Sequence, residues 1–204
     1  MNLINPTIDS LPAFSPRLKL GILASGNGSN FENLVRSELQ ADIELLIVNN
    51  PSAKVIDRAK RLNIKYLILR HNDFPNREEY EKSIIDSFKS HNVEALIMAG
   101  WNRIVTSSLI KHYPNRIINI HPSLLPSFKG MNAVENALIN KVKITGCTVH
   151  IVSEELDSGP ILIQSAVPVL KTDSFHELFS RVQKEEHRIF PMGIALAAVK
   201  WRKV

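Results

Sequence analysis

The chain has 204 residues, 44% of them hydrophobic, with one cysteine and a formal net charge of +5. Its length fits one large domain or two small ones, and its composition is that of an ordinary globular protein. The lone Cys147 excludes an internal disulfide and a cysteine-rich zinc site. It fits a reducing compartment, so a cytoplasmic location is expected. No apolar run approaches the roughly 20 residues of a membrane span, and no dense Lys/Arg cluster marks a nucleic-acid surface. The modest positive excess suits small phosphorylated or carboxylated substrates.

Residues 1–17 lack the basic and apolar regions of a secretory signal. Their Pro and Ser content reads as a flexible N-terminal arm. LKLGILA (18–24) reads as a doubly buried strand. SGNGSN (25–30) follows, and then FENLVRSEL (31–39) has helical spacing. A strand, a glycine-rich turn and a helix form the layout of an anion site, where backbone N–H groups and the helix dipole favour a phosphate. Gly26 and Gly28 allow close backbone approach. Ser29 and Asn30 can cap the helix or donate to the anion. The dinucleotide fingerprint wants a third glycine where Phe31 stands, and an acidic residue where the second strand ends in Asn49 and Asn50. No Gly-Lys-Ser/Thr sequence follows the turn either. The turn is therefore expected to hold a lone phosphate.

IELLIVNN (43–50) reads as a strand, 53–64 as a helix and YLIL (66–69) as a strand. Residues 76–91 form an amphipathic helix with Tyr80, Ile84, Ile85 and Phe88 on its buried stripe. VEALIMAG (93–100) is the next strand, ending at Gly100-Trp101-Asn102-Arg103, and 106–113 is a short helix. Ile117-Ile118 opens another strand. It ends at Asn119 and His121, which point the same way because a strand alternates its side chains. Pro122 and Pro126 then stiffen the loop. These two groups either aim at a developing oxyanion or cap backbone groups of a polar loop. Residues 132–140 read as a helix, 142–152 as a strand, and 155–169 as a loop and strand. Residues 174–201 form one helical region that Pro191 is expected to kink or split. Alternating strands and helices predict a single α/β domain with a mainly parallel, twisted sheet and helices on both faces, its last strands antiparallel.

Asp157, in the LDSGP loop, either holds its own turn or reaches His121. In the second case its charge favours the imidazolium, which donates to an oxyanion and passes on a proton. His150 alternates with core residues, as a core histidine or a group beside the site.

SGNGSN, NIHPSLLPSFKG, GCTVHIVSEELDSGPIL and RVQKEEHRIFP occur in this order. Together they resemble the phosphoribosylglycinamide formyltransferase family, within the folate-dependent formyltransferases, from about Leu18 to Trp201. The resemblance implies a Rossmann-like formyltransferase domain over 18–204, with a phosphate-binding N-terminal half and a folate-binding, catalytic C-terminal half. It implies transfer of a formyl group from 10-formyltetrahydrofolate to the amine of glycinamide ribonucleotide in purine synthesis. No metal, nucleic acid or membrane partner is implied, and the protein would be a monomer or homodimer. By position, Gly28, Ser29, Asn30, Gln183 and Glu186 would bind the ribonucleotide. Arg77, Asn102, Arg103, Ile104, Val105 and Asn119 would bind the folate. His121, Asn119 and Asp157 would be catalytic.

Three departures stand out. Lys129 replaces the family's usual proline after the loop's aromatic, so a less rigid loop is expected. Asn132 stands where a histidine is usual, and Asn102 replaces a commonly apolar residue. Two related readings differ in the acceptor of the formyl group. A formyltetrahydrofolate hydrolase uses water and carries an extra N-terminal domain. A methionyl-tRNA formyltransferase carries an extra C-terminal domain. A reading of another class is a non-catalytic phosphate-binding module.

Overall fold

The computed structural model describes residues 4–6 and 10–202. It is an α/β fold in which eight strands hydrogen-bond in the order β1-β8-β7-β6-β5-β2-β3-β4. The chain divides into two compact units, Pro12–Ile118 and, with the N-terminal segment, Asn119 onward.

In the first unit β2 (Leu18–Ala24) pairs in parallel with β3 (Ala41–Val48) and β5 (Ala95–Met98). Strand β4 (Tyr66–Ile68) pairs in parallel with β3. Leu20, Ile22, Leu46, Ile47, Leu96 and Ile97 are buried in this sheet, and Phe31 and Phe88 from the helices are fully buried too. Continuous apolar runs covered on both faces are what parallel strands require. The helices are α1 (Ser29–Arg36), α2 (Val55–Arg61), α3 (Arg77–Ser90) and α4 (Ser107–His112). Asn76 caps α3 by accepting from the Glu79 N–H, and Thr106 caps α4 by accepting from the Ser108 N–H.

Strand β6 (Ile117–His121) begins in the first unit and ends in the second. In the second unit β7 (Ile144–Ile151) pairs antiparallel with β8 (Ile161–Pro168), as the short connecting loop predicts. Helix α5 (Ala133–Ile139) precedes β7. Helix α6 (Phe175–Arg202) runs unbroken through Pro191. The expected split does not occur: Phe190, Pro191 and Ile194 are all buried, and this packing offsets the one helix bond that proline removes. At Gly193 a Cβ would lie 2.4 Å from Val149 Cγ1 and 3.1 Å from Ile163 Cγ2. The missing side chain lets α6 lie directly on β7 and β8.

Within the segment expected to be a flexible arm, β1 (Ile4–Asn5) pairs antiparallel with β8, opposite Ser165 and Gln164. Phe14 is buried. Residues 1–3 and 7–9 of that segment lie outside the described residues.

Candidate active site

Strand β6 delivers two polar side chains at its C-terminal end, Asn119 half-buried and His121 buried. The proline loop that follows is fastened by one hydroxyl. Thr148 Oγ1 donates to the Ser123 carbonyl at 2.7 Å and accepts from Leu125 N at 3.1 Å and Gln164 Nε2 at 2.9 Å. A hydroxyl has one proton and two lone pairs, so this one is saturated. Gln164 also donates to the Leu125 carbonyl at 3.0 Å. Strands β7 and β8 thus fix the loop's backbone, and the rigidity expected from its prolines has a second source.

His121 and Asp157 meet. His121 Nδ1 lies 3.3 Å from Asp157 Oδ2, with both side chains buried. His121 Nε2 lies 2.8 Å from the Phe128 carbonyl. Both ring nitrogens therefore face acceptors, which the imidazolium satisfies completely. Asp157 Oδ2 also accepts from Gly130 N at 2.8 Å, and Asp157 Oδ1 lies 3.6 Å from His150 Nε2. Burial pushes the Asp157 carboxyl up. The His150 contact, the Gly130 N–H and the charges of both histidines outweigh it and hold the carboxyl below its ordinary value. Of the two sequence readings of Asp157, the structure favours the one that reaches His121.

His150 is more than a core residue. Its Nδ1 donates to the Ile151 carbonyl at 3.0 Å; on the neutral ring Nε2 accepts from Asn119 Nδ2 at 3.2 Å, and on the charged ring Nε2 faces Asp157 Oδ1 as a donor. One hydrogen of the Asn119 amide is thereby used and the other is left for a ligand. Asn119, His121, His150 and Asp157 form one connected group in the second unit.

In the first unit the glycine turn has the geometry of an anion cradle. Gly28 is the N-cap of α1 with φ 77° and ψ 25°, and no side chain caps the helix. Ser29 and Asn30 are its first two residues rather than its caps. At Gly28 a Cβ would sit 2.4 Å from Val55 Cγ2 and 2.9 Å from Val55 Cα, so only glycine fits. Helix α2 braces the turn from one side. Val55 N donates to the Gly26 carbonyl at 3.1 Å, and Arg58 Nε to the Asn27 carbonyl at 2.7 Å. Glu32, paired with Arg58, Arg36 and Arg61, anchors the same group. The Arg58 contact is the chief cause that holds the Glu32 carboxyl down to about 2.

The residues expected at the folate site, apart from Asn119, lie in this unit. Arg77 donates to the Ile104 carbonyl. The Arg103 guanidinium lies 5.7 Å above the Tyr80 ring. Asn102 N donates to Ser25 Oγ at 3.0 Å, and its side-chain oxygen accepts from Asn49 at 2.9 Å. Ile104 is exposed and Val105 buried. The buried Glu81 belongs to none of the sequence motifs. It accepts from Thr106 N at 2.9 Å and from the Thr106 hydroxyl, and fixes the end of the 102–106 run. Its place on the helical stripe beside Tyr80 was the available signal. On α6, Gln183 is half-buried and Glu186 buried, three residues apart on one helix face.

Among the described residues, no helix is long and apolar enough to cross a membrane. No group of three or more His, Cys, Asp or Glu among them is arranged to hold a metal ion.

The formyl transferase family matches residues 18–194. The phosphoribosylglycinamide formyltransferase of Bacillus subtilis is 39% identical over 180 residues, covering 86% of this chain and 92% of that protein. The human trifunctional purine biosynthetic protein adenosine-3 is 38% identical over 186 residues, which are 89% of this chain and 18% of the human protein. The crystal structure of glycinamide ribonucleotide transformylase 1 from Symbiobacterium toebii superposes with a TM-score of 0.86 at 34% identity, covering 92% of this chain and 90% of that one. With a match this long, and with an asparagine, a histidine and an aspartate joined as the motifs require, the chain belongs to the formyl transferase family.

Proposed function

We propose that the protein transfers the formyl group of 10-formyltetrahydrofolate to the amine of N1-(5-phospho-D-ribosyl)glycinamide, a step of purine synthesis, in the cytoplasm. The observation that carries the reading is the buried contact of His121 with Asp157, 3.3 Å apart, beside an Asn119 amide already oriented by His150.

The chemistry follows from these groups. The unprotonated amine attacks the formyl carbon, and the carbonyl oxygen becomes an oxyanion. The free hydrogen of the Asn119 amide and a ring N–H of His121 are the donors for that charge. Loss of one such donor costs about 3 kcal/mol in comparable sites. His121 Nε2 can exchange the neutral Phe128 carbonyl for the oxyanion, a stronger acceptor. A proton then passes from the attacking nitrogen to the departing folate nitrogen as the carbon–nitrogen bond breaks, and Asp157 is placed to relay it through water. No covalent intermediate with the protein is needed, and alignment of the two substrates supplies much of the acceleration. Gly28, Ser29 and Asn30 would hold the ribonucleotide's phosphate, with Gln183 and Glu186 contacting the rest of it. Arg77 and residues 102–105 would line the folate site.

The test is an assay of purified protein with the ribonucleotide and the formyl folate. Formylated ribonucleotide is the expected product. Release of formate without ribonucleotide would instead identify a hydrolase. Phosphate binding without turnover would identify a binding module.

A further inference from the structure

The loop of residues 128–130 touches the catalytic pair at both ends. The Phe128 carbonyl receives His121 Nε2, and Gly130 N donates to Asp157 Oδ2. Between them, Lys129 reaches across to the loop that carries Asp157. Its Nζ donates to Glu155 Oε1 at 3.2 Å and to the Ser158 hydroxyl. Glu155 lies two residues before Asp157 and Ser158 one residue after it, so the lysine brackets the aspartate. That second loop is itself braced: Ser153 Oγ donates to the Glu155 carbonyl at 3.0 Å, and Ser158 Oγ to the Leu156 carbonyl at 2.9 Å.

Something must hold residues 128–130 in place. Phe128 has φ 52° and Gly130 φ 78°. The left-handed region is unfavourable for a bulky side chain and persists only where surrounding contacts impose it. The Lys129–Glu155 pair is exposed and adds little stability. Its geometric effect is larger, because it ties together the two backbones whose separation sets the Asp157–His121 contact. We propose that Lys129 is a positioning residue for the catalytic acid, clamping the loop of His121's carbonyl partner to the loop of Asp157. The proposal rests on the formyl-transfer reading for its kinetic arm only.

The charged and titratable groups around His121 are Asp157 directly, His150 through Asp157, and Lys129 and Glu155 at the clamp. A loosened Asp157 orients the His121 ring less firmly toward the reacting group. The test is Lys129→Met in the full chain, read in two ways. In the formyl-transfer assay, kcat is expected to fall by up to about five-fold, the scale of an exposed ion pair, with both KM values held. By NMR, the Gly130 amide, which donates to Asp157, is expected to exchange with solvent up to about five-fold faster, the same factor. Lys129→Arg restores both readouts, and Glu155→Gln reproduces part of the loss.

An unchanged kcat and an unchanged Gly130 amide exchange in Lys129→Met overturn the proposal, even if the melting temperature drops, because that pattern is merely structural. A higher kcat overturns it as well. If the wild-type protein transfers no formyl group, the functional reading fails while the NMR arm still decides the clamp.

Discussion

The glycine turn after β2 and the proline loop after β6 both follow a buried strand, and they present polar groups in opposite ways. The turn offers main chain. Its helix has no side-chain cap, and Gly28 leaves no room for a Cβ against Val55. The end of β6, with the loop that carries Asp157, offers side chains, and each has a second partner: Asn119 on His150, His121 on Phe128, Asp157 on Gly130. A main-chain site is shaped by what is missing, and a side-chain site by what is held. The first should be sensitive to added bulk and the second to lost hydrogen bonds.

The largest expected effect is at His121. His121→Ala should lower kcat by about 10²–10⁴-fold, the usual contribution of a positioned acid, with the circular dichroism spectrum unchanged. Near-normal turnover would erase the contrast, since the side chains at the end of β6 would then be dispensable. Asp157→Asn keeps the shape and removes the charge, so a loss of about 10²-fold in kcat is anticipated.

Bulk is the complementary probe. Gly28→Val meets Val55 and an unfavourable φ at once, so stability should drop by about 3 kcal/mol in urea titration. The KM for the ribonucleotide should rise and that for the folate should not. Equal changes in both constants would show that the turn serves folding rather than phosphate.

Acid titration separates the two regions again. Glu32 titrates near 4.5 when unfolded and about 2 when folded. Its contribution is thus present above about 4.5 and lost as pH falls toward 2. Asp157 has the same sign, since its folded value is depressed from 3.8. Glu32→Gln should flatten the acid limb of the stability curve measured by thermal melts. A limb identical to that of the wild type would remove the arginine cluster from the account. The smallest effect concerns Cys147, buried and with its thiol pushed up chiefly by burial. A thiol reagent should label it only on unfolding, and rapid labelling of the native protein would contradict the packing of β7.

Fold and site are legible in the sequence where a residue's type and place carry their own physics. Apolar runs located β2, β3, β5 and β8, and strand alternation placed Asn119 and His121 on one side. Prolines and glycines marked both loops. Fold and site are less legible where partners are remote in sequence. That Thr148 and Gln164 would fasten the proline loop follows from the register of β7 with β8, which local pattern does not contain. The strand at Ile4–Asn5 is too short to have a period. The choice between a core and a site role for His150 depended on where Asp157 would land. The loosened loop expected from Lys129 meets a cross-loop contact that no spacing rule predicts.

Thr148 deserves a last consequence. Valine would fill its space almost perfectly and yet strand two donors and one acceptor together. Serine alone keeps all three connections. Position 148 therefore offers little gradual route to change: any residue but serine cuts all three ties at once and leaves the Gln164 bond to the Leu125 carbonyl to hold this part of the loop to β8.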